Sequence, residues 1–310
     1  MENGRQQCGS ERDHISDLPD ELLHGILSRL RSFPAAVRTS VLSRRWRRVW
    51  ASVPDIILVH QSTSFLDMVD GALAAYGAAD VPVTLRNVQI IVPYRCYNVH
   101  AGRLAAWLLF ASRRRAAGKL DLSAYLDHKQ LPNEIDLPPF DRAMGISLFL
   151  GRHFHLRFPA VGVFAALADL DIALATMDAR ALEVLVSSQC PRLRNLTLKF
   201  VTLVNGSNVS ISSATLRRLK FHVRRTGRLN VSAPNLEVVK VRYVADVHIA
   251  APNLAELVLA SIGQFVFTDA VGHLRQLEVT HCSAMAPLMR QLDTVEELRL
   301  QAPLVRILHP

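Results

Sequence analysis

The segment LRNLTL at residues 193–198 carries the pattern LxxLxL, which recurs along the second half of the chain. Its last three positions alternate apolar and polar side chains, which is the period of a β-strand with one buried face. Successive copies start between 18 residues (236 to 254) and 26 residues (117 to 143) apart. The chain is therefore expected to repeat one short structural unit. With conservative replacements the further copies lie at 117–122, 143–148, 167–172, 216–221, 236–241, 254–259, 274–279 and 295–300.

A pattern of this kind, with a period near twenty residues, is typical of a leucine-rich-repeat solenoid with parallel strands on its concave face. No single unit can bury its own apolar side, so neighbouring units stack into one array. The units of 18–21 residues leave room only for loops or short strands on the outer side, whereas a longer unit, such as the one holding DARALEVLVSS at 178–188, can carry a helix. The usual asparagine or cysteine three residues after the LxL occurs only as Cys282 in the copies from 193 onward, so its side-chain ladder is expected to be largely absent.

The N-terminal part has a helical pattern instead. In ISDLPDELLHGILSRL at 15–30, Pro19 suits the first position of a helix and Asp20 complements the positive end of the helix dipole. The breaker RSFP at 31–34 precedes a second short helix, and SRRWRRVW at 43–50 predicts a third. Three such helices cannot hide all their apolar side chains in one another, so a hydrophobic surface is expected to need a partner. One apolar stripe follows the helical period in the first helix: Leu22, Leu23, Ile26, Leu27 and Leu30.

The stretch from 13 to 58, DHISDLPDELLHGILSRL…AVRTSVLSRRWRRVWASVPDIIL, resembles an F-box of the plant type. The elements LPDE-LL--IL and -RTS-LS-RW---W and a following apolar strand come in the order of that family. The phrases CPRLRNLTLKF and APNLEVVKV resemble plant F-box proteins with leucine-rich repeats, the F-box/LRR family. The resemblance implies docking on an Skp-family adaptor, which joins an F-box to a cullin–RING ubiquitin ligase. The residues that it implies at the adaptor contact are Leu18, Pro19, Leu22, Leu23, Ile26, Leu27, Val37, Leu42, Trp46 and Trp50.

These patterns predict an α/β fold class, with an N-terminal three-helix F-box followed by an irregular leucine-rich-repeat solenoid. VPVTLRNVQIIV at 81–92 predicts a strand pair, and RLAAWLLFASRRRAAG at 103–118 predicts a helix. Many members of the family continue into a small C-terminal domain, whereas this sequence stops just after its last repeat. Association of that edge with another molecule and truncation of the gene product are the two alternatives. The predicted domains are a disordered tail at 1–13, the F-box at 14–58, irregular first turns of the solenoid at 59–116, and the repeats at 117–310.

Composition limits the function classes. Half of the residues are hydrophobic and 20% are charged, so most of the chain can bury a core. His153 and His155 have no third metal ligand nearby, and no phosphate loop, nucleophile elbow or Cys/His pairing occurs, so no enzyme activity, no cofactor and no metal site are predicted. The sequence lacks a signal peptide and an apolar run of spanning length, which predicts a protein of the cytoplasm, the nucleus or both. Four scattered cysteines without CxxC spacing argue against a zinc site or a disulfide framework: Cys8, Cys96, Cys190 and Cys282.

The formal net charge of +9 is compatible with nucleic-acid binding. The densest basic runs are RRWRR at 44–48 and RRR at 113–115, and each is more typical of a solvated helix face than of a binding patch. Aromatic residues make up only 6% of the chain and are not interleaved with the basic ones, as base stacking would require. A nucleic-acid partner is therefore disfavoured.

The concave face offers a more specific candidate, because the residues that alternate with the leucines point to its solvated side. On three neighbouring strands, the residues that alternate with the leucines include five basic residues and no acid. Acids such as Glu256 are expected only on the later strands. We expect this stripe to bind an acidic or phosphorylated segment of a target protein through charge-assisted hydrogen bonds. General solubility is the simpler interpretation. The stripe consists of Lys199, Arg218, Lys220, Lys240 and Arg242.

The sequence and the resemblance together predict a substrate-recognition subunit of an Skp–cullin–F-box ubiquitin ligase. Such a subunit carries no ubiquitin chemistry of its own, and it acts by holding a target near the charged E2. The alternative is a leucine-rich-repeat binding or scaffold protein that acts outside a ubiquitin ligase. Neither interpretation predicts a membrane partner.

Overall fold

The computed structural model describes residues 18, 19, 22, 23, 25, 53–59, 64–77, 84–94, 96, 99–124, 133–268, 273–282 and 297–301. Within them one sheet of sixteen strands forms, and every strand pairing in it is parallel. The strands are β1 Asp55–Val59, β2 Asn87–Ile91, β3 Lys119–Ala124, β4 Glu134–Asp136, β5 Gly145–Leu150, β6 His155–Arg157, β7 Asp169–Ala173, β8 Thr176–Asp178, β9 Asn195–Val204, β10 Asn208–Ser212, β11 Arg218–Ser232, β12 Val238–Ala250, β13 Glu256–Ile262, β14 Gln264–Phe267, β15 Gln276–Cys282 and β16 Glu297–Gln301.

The strand order confirms the predicted solenoid. One path runs β1-β2-β3-β5-β7-β9-β11-β12-β13-β15-β16, so each copy of LxxLxL supplies one strand and pairs with the copies before and after it. The path already begins at Asp55–Val59, and it therefore reaches upstream of residue 117, where the repeats were expected to start. Asn87–Ile91 is a single strand between β1 and β3, and the first residues of the expected pair at 81–92 lie outside the described residues.

Short outer strands form a second set of parallel pairings. β4 pairs with β6, β6 with β8, and β8 with the second half of β9. Further along, β10 pairs with the second half of β11, and β14 pairs with the second half of β12. The prediction of short strands on the outer side of the 18–21-residue units is confirmed by β14, which lies in the 20-residue unit that starts at 254, while β10 lies in the 23-residue unit that starts at 193.

Within the described part of the solenoid, helices lie only in the longer units. They are α1 Phe65–Gly77, α2 Ala101–Arg113 and α3 Ala179–Val184, and α3 runs into a π-helical turn at Leu185–Gln189. α2 confirms the helix expected at 103–118, and α3 confirms the one expected at 178–188. Asp178 begins α3 as its N-cap, because its carboxylate accepts a hydrogen bond of 2.9 Å from the Ala181 N–H.

The core lies inside the stack of strands. In the six copies of LxxLxL that start between 167 and 274, the side chains at positions 1, 4 and 6 are all at most 2% exposed. Each copy alone could not exclude water from these residues, but two flanking copies cover them. The alternation of the sequence therefore determines which side of each strand faces the core.

A corner follows the LxL segment of each central strand. There one residue takes a left-handed backbone conformation, with φ between 53° and 65°, and the chain turns toward the outer strands. The residue after it points inward, and in three units it is Val201, Val244 or Ile262, each buried. These apolar residues occupy the position, three residues after the LxL, that usually holds an asparagine or a cysteine. The left-handed corner residues are Leu174, Phe200, Arg225, Tyr243, Ser261 and His281.

An asparagine ladder does exist, at the opposite end of the strands. The Asn235 side chain donates a hydrogen bond of 2.7 Å to the Ala214 carbonyl of the preceding unit. Asn253, at the same place in the next unit, donates one of 2.8 Å to the Pro234 carbonyl. The repeated phrase APN at 233–235 and 251–253 was visible in the sequence, but only the stacking of the units shows that its amide satisfies a backbone carbonyl.

Arg114 and Arg115 of the basic run at 113–115 contact other parts of the fold. Arg114 donates hydrogen bonds to the carbonyls of Tyr76 and Gly77 at the end of α1. Arg115 forms an ion pair of 2.9 Å with Asp141. These contacts join α2 to its neighbours, which favours a structural role for the run over nucleic-acid binding.

We expect one and the same substitution to have opposite effects at two exposed serines. Ser261→Gly removes the Cβ that a left-handed corner disfavours, and it should raise the free energy of unfolding by about 1 kcal/mol. Ser210→Gly, inside strand β10, should lower it by about 0.5–1 kcal/mol, because glycine loses more backbone entropy there. Thermal unfolding of the two variants is the measurement, and shifts of the same sign would contradict the assignment of the corner.

Candidate functional site

The five basic residues predicted on the concave face come together in the structure. β11 lies between β9 and β12, and the pairing places Lys220 directly beside Lys240. In the next row toward the corners, His222 lies between Lys199 and Arg242. Neighbouring strands are about 4.8 Å apart, so the five basic residues occupy an area only three strands wide. We call this group the basic cluster: Lys199, Arg218, Lys220, Lys240 and Arg242.

Two members of the basic cluster are paired with acids. The Nζ of Lys199 lies 3.0 Å from an Oδ of Asp171, and the Nζ of Lys240 lies 2.6 Å from an Oε of Glu256. The expectation that acids appear only on the later strands is therefore wrong. β7 lies directly beside β9, so its outward residues Asp169 and Asp171 share the rows of the cluster.

The positive charge of the cluster is consequently concentrated on three residues. Arg218, Lys220 and Arg242 are exposed, and none has an acidic partner within 4 Å in the part of the chain that is described. Both ion pairs are half-buried and still reached by solvent, which weakens them, so Lys199 and Lys240 can also exchange their acids for a ligand. The arrangement can bind an anion by several hydrogen bonds at once.

His222 lies within the basic cluster, and the sequence analysis did not include it in the stripe. Its Nε2 is buried and has no hydrogen-bond partner among the described residues. Burial lowers the pKa of His222 to about 4, and the positive charges of Arg242, Lys199, Lys220 and Lys240 contribute in the same direction. A neutral histidine surrounded by four cations indicates a strong local positive potential.

A cavity lies beside the cluster on the concave face. Its volume is about 440 Å³, and Asp169, Asp171 and Lys119 line it together with Ser147. Gly145 lies between Lys119 and Asp169 in the row, and its missing side chain leaves the space open. The concave face thus changes from mixed charge at β3–β7 to positive charge at β9–β12.

The adaptor contacts predicted by resemblance are described only in part. Leu18 is half-buried, Pro19 is exposed, and Leu22 and Leu23 are helical. Leu22 is 55% exposed, whereas Leu23 is fully buried and belongs to the hydrophobic core. Two adjacent leucines of one stripe therefore point in different directions. The other six predicted contacts lie outside the described residues: Ile26, Leu27, Val37, Leu42, Trp46 and Trp50.

No group of three His, Cys, Asp or Glu side chains suited to a metal ion occurs in the described ranges. Cys190 and Cys282 are free thiols, and burial raises the pKa of Cys190 to about 12. Among the described helices none combines the length and apolar character needed to cross a membrane. The residues that carry polar chemistry are therefore best sought on the concave face.

Known proteins are similar to this chain both in its N-terminal segment and in its repeats. An F-box domain matches residues 15–58. F-box/LRR-repeat protein 25 of Arabidopsis thaliana is 27% identical over 242 residues, which cover 74% of this chain and 86% of that protein. A putative F-box/LRR-repeat protein of the same plant is 29% identical over 323 residues, covering 96% of this chain and 67% of the relative. No solved structure matches the chain.

A further relative extends beyond the matched region. An F-box/FBD/LRR-repeat protein of Arabidopsis thaliana is 30% identical over 220 residues, which cover 68% of this chain but only 46% of the relative. The chain spans between 60% and 86% of the length of five other relatives. The F-box match at the N-terminus, the similarity over most of the length and the parallel solenoid show that the chain is similar to plant F-box/LRR-repeat proteins.

Proposed function

We propose that this chain is a substrate-recognition subunit of an Skp–cullin–F-box ubiquitin ligase. Its F-box binds an Skp-family adaptor, and its concave face binds the target protein. The observation that carries the proposal is the combination of an F-box match at 15–58 with a basic cluster on the repeat surface. The subunit contributes proximity, since a target lysine held near the charged E2 reacts at a high effective concentration.

Leu22 is the described residue best suited to the adaptor contact. A leucine that is 55% exposed on a helix offers apolar surface that a partner can bury. Leu23 instead stabilises the packing that holds this helix, because it is buried within the chain itself. Trp50 is proposed as a second anchor by resemblance to the family, since large aromatic side chains dominate many interfaces.

We expect Leu22→Ala combined with Trp50→Ala to reduce co-purification of an Skp adaptor at least tenfold. Leu22→Ala alone should leave the melting temperature nearly unchanged, whereas Leu23→Ala should lower the free energy of unfolding by about 2–5 kcal/mol. Co-purification measures the first effect and thermal unfolding the second. Full adaptor binding by the double variant would contradict the assignment, and biological function retained without adaptor binding would favour the scaffold alternative.

The proposed target segment is acidic or phosphorylated. Arg218, Lys220 and Arg242 lie close together without acidic partners among the described residues, so an anionic segment gains charge-assisted hydrogen bonds that water does not fully replace. Arginine offers a planar, bidentate contact to a carboxylate or phosphate, and Lys220 adds a point charge. Exposed charges of this kind are screened by salt, so capture should weaken as ionic strength rises.

We expect Lys220→Glu and Arg242→Glu each to abolish capture of the target in a pull-down, with adaptor binding intact. Lys240→Glu should have a smaller effect, since Glu256 already neutralises that lysine. Arg180→Glu is the matched control, because it makes the same change of charge at an exposed residue of α3. Unchanged capture by the Lys220 and Arg242 variants would exclude the basic cluster as the target site.

The burial of His222 among the cations of the cluster can be tested through its titration. Its pKa of about 4 in the folded chain lies below 6.5, the ordinary value for histidine, so the unfolded chain binds more protons between these pH values. The stabilisation from neutral His222 is complete above pH 6.5 and is lost as the pH falls toward 4. Between pH 7 and pH 5 the native chain should lose about 1 kcal/mol of unfolding free energy that His222→Gln retains.

Denaturant unfolding at the two pH values is the measurement for His222. His248→Gln is the control. His248 lies on the outer half of β12, whereas His222 lies on β11 within the basic cluster. The same acid sensitivity in the native chain and in His222→Gln would contradict the lowered pKa of His222.

A further inference from the structure

Two aromatic side chains are exposed at corners inside the strands of the basic cluster. Phe200 is 42% exposed and Tyr243 is 45% exposed. Phe200 directly follows Lys199 at the corner of β9, and Tyr243 directly follows Arg242 at the corner of β12. One strand, β11, separates them, so the two corners are about 10 Å apart.

Cationic side chains join the two aromatics into one surface. The Arg224 guanidinium carbon lies 5.9 Å from the centre of the Phe200 ring, which is a cation–π distance. Arg224 and Arg225 are exposed at the corner of β11, between the strands that carry Phe200 and Tyr243. We call Phe200, Arg224 and Tyr243 the aromatic rim.

The backbone conformation at the corners does not favour aromatic residues. Both Phe200, with φ 53°, and Tyr243, with φ 65°, hold a left-handed conformation that a bulky residue disfavours. The equivalent corner after β13 has Ser261, and the one after β15 has His281. Among the described corners, exposed aromatic rings therefore occur only beside the basic cluster. Exposed aromatics and arginines beside one another are the composition of an interface core.

We propose that the aromatic rim and the basic cluster form one binding surface for an acidic segment that also carries an apolar side chain. This inference rests on the proposed function, and it specifies the segment further. Lys220 shares a row with Thr197 and Lys240, which lie three positions before Phe200 and Tyr243, and Lys199 lies one position before Phe200. At about 3.3 Å per residue, an extended segment that places an acid over the cluster reaches the rim one to three residues later.

The charges around the rim favour such a segment over other partners. A membrane surface would be contacted by a convex or flat face, whereas the rim borders the concave sheet. An acidic segment complements the arginines, and an apolar side chain covers ring surface that is otherwise wet. The segment therefore uses both features. Its acids raise the rate of association with the basic cluster, and its apolar residue lowers the rate of dissociation.

Two labelled peptides of equal charge test this inference on the full chain bound to its adaptor. The first is an octaglutamate with phenylalanine at its third and sixth positions, and the second has serine at those positions. In fluorescence anisotropy at about 0.15 M salt, the phenylalanine peptide should bind at least about tenfold tighter. The double variant Phe200→Ser/Tyr243→Ser should bind both peptides equally, with the affinity that the native chain has for the serine peptide.

Val266→Ser is the matched control, since Val266 is 45% exposed on the outer strand β14 and should keep the tenfold preference. Equal binding of both peptides by the native chain would overturn the aromatic rim and leave the basic cluster intact. A preference that survives in the double variant would also overturn it, because another apolar surface would then be responsible. No binding of either peptide at low salt would overturn the basic cluster and the rim together.

Discussion

Parallel pairing of one strand per repeat, in register, is the constraint on which the rest of the structure depends. Because each LxxLxL strand lies directly beside the next, its leucines face the core together and the residues between them line up in rows on the concave face. The rows bring together side chains that are about twenty residues apart in sequence. Lys220 and Lys240 are neighbours for this reason alone.

The same stacking defines the electrostatics of the candidate site. β7 brings Asp171 to one side of the basic cluster, and β13 brings Glu256 to the other. Among the described residues, the cations between them that lack acidic partners are Arg218, Lys220 and Arg242, and the neutral His222 lies beside them. The corner residues then place Phe200 and Tyr243 at the edge of this positive area. A repeat fold can thus build a mixed charged and aromatic surface by varying only its outward and corner positions.

Much of this could be predicted from the sequence, because the signals were periodic. The leucines of LxxLxL, the helix in DARALEVLVSS and the five basic residues all follow from local spacing. The acids beside Lys199 were missed because the alternation was not followed back to LADLDI, one strand earlier. The corner conformation of Phe200 and Tyr243, and the amide ladder of Asn235 and Asn253, depend on the backbone path between units, which no residue pattern states directly.

Lysine footprinting of the assembled ligase, with its target bound, tests the central claim most directly. The chain has five lysines, of which Lys199, Lys220 and Lys240 lie in the basic cluster and Lys119 lies elsewhere on the concave face. If the cluster holds the target, acetylation of Lys220 read by mass spectrometry should fall several-fold on target binding, while Lys119 reacts as before. Unchanged acetylation of Lys220 with the target bound would contradict the account.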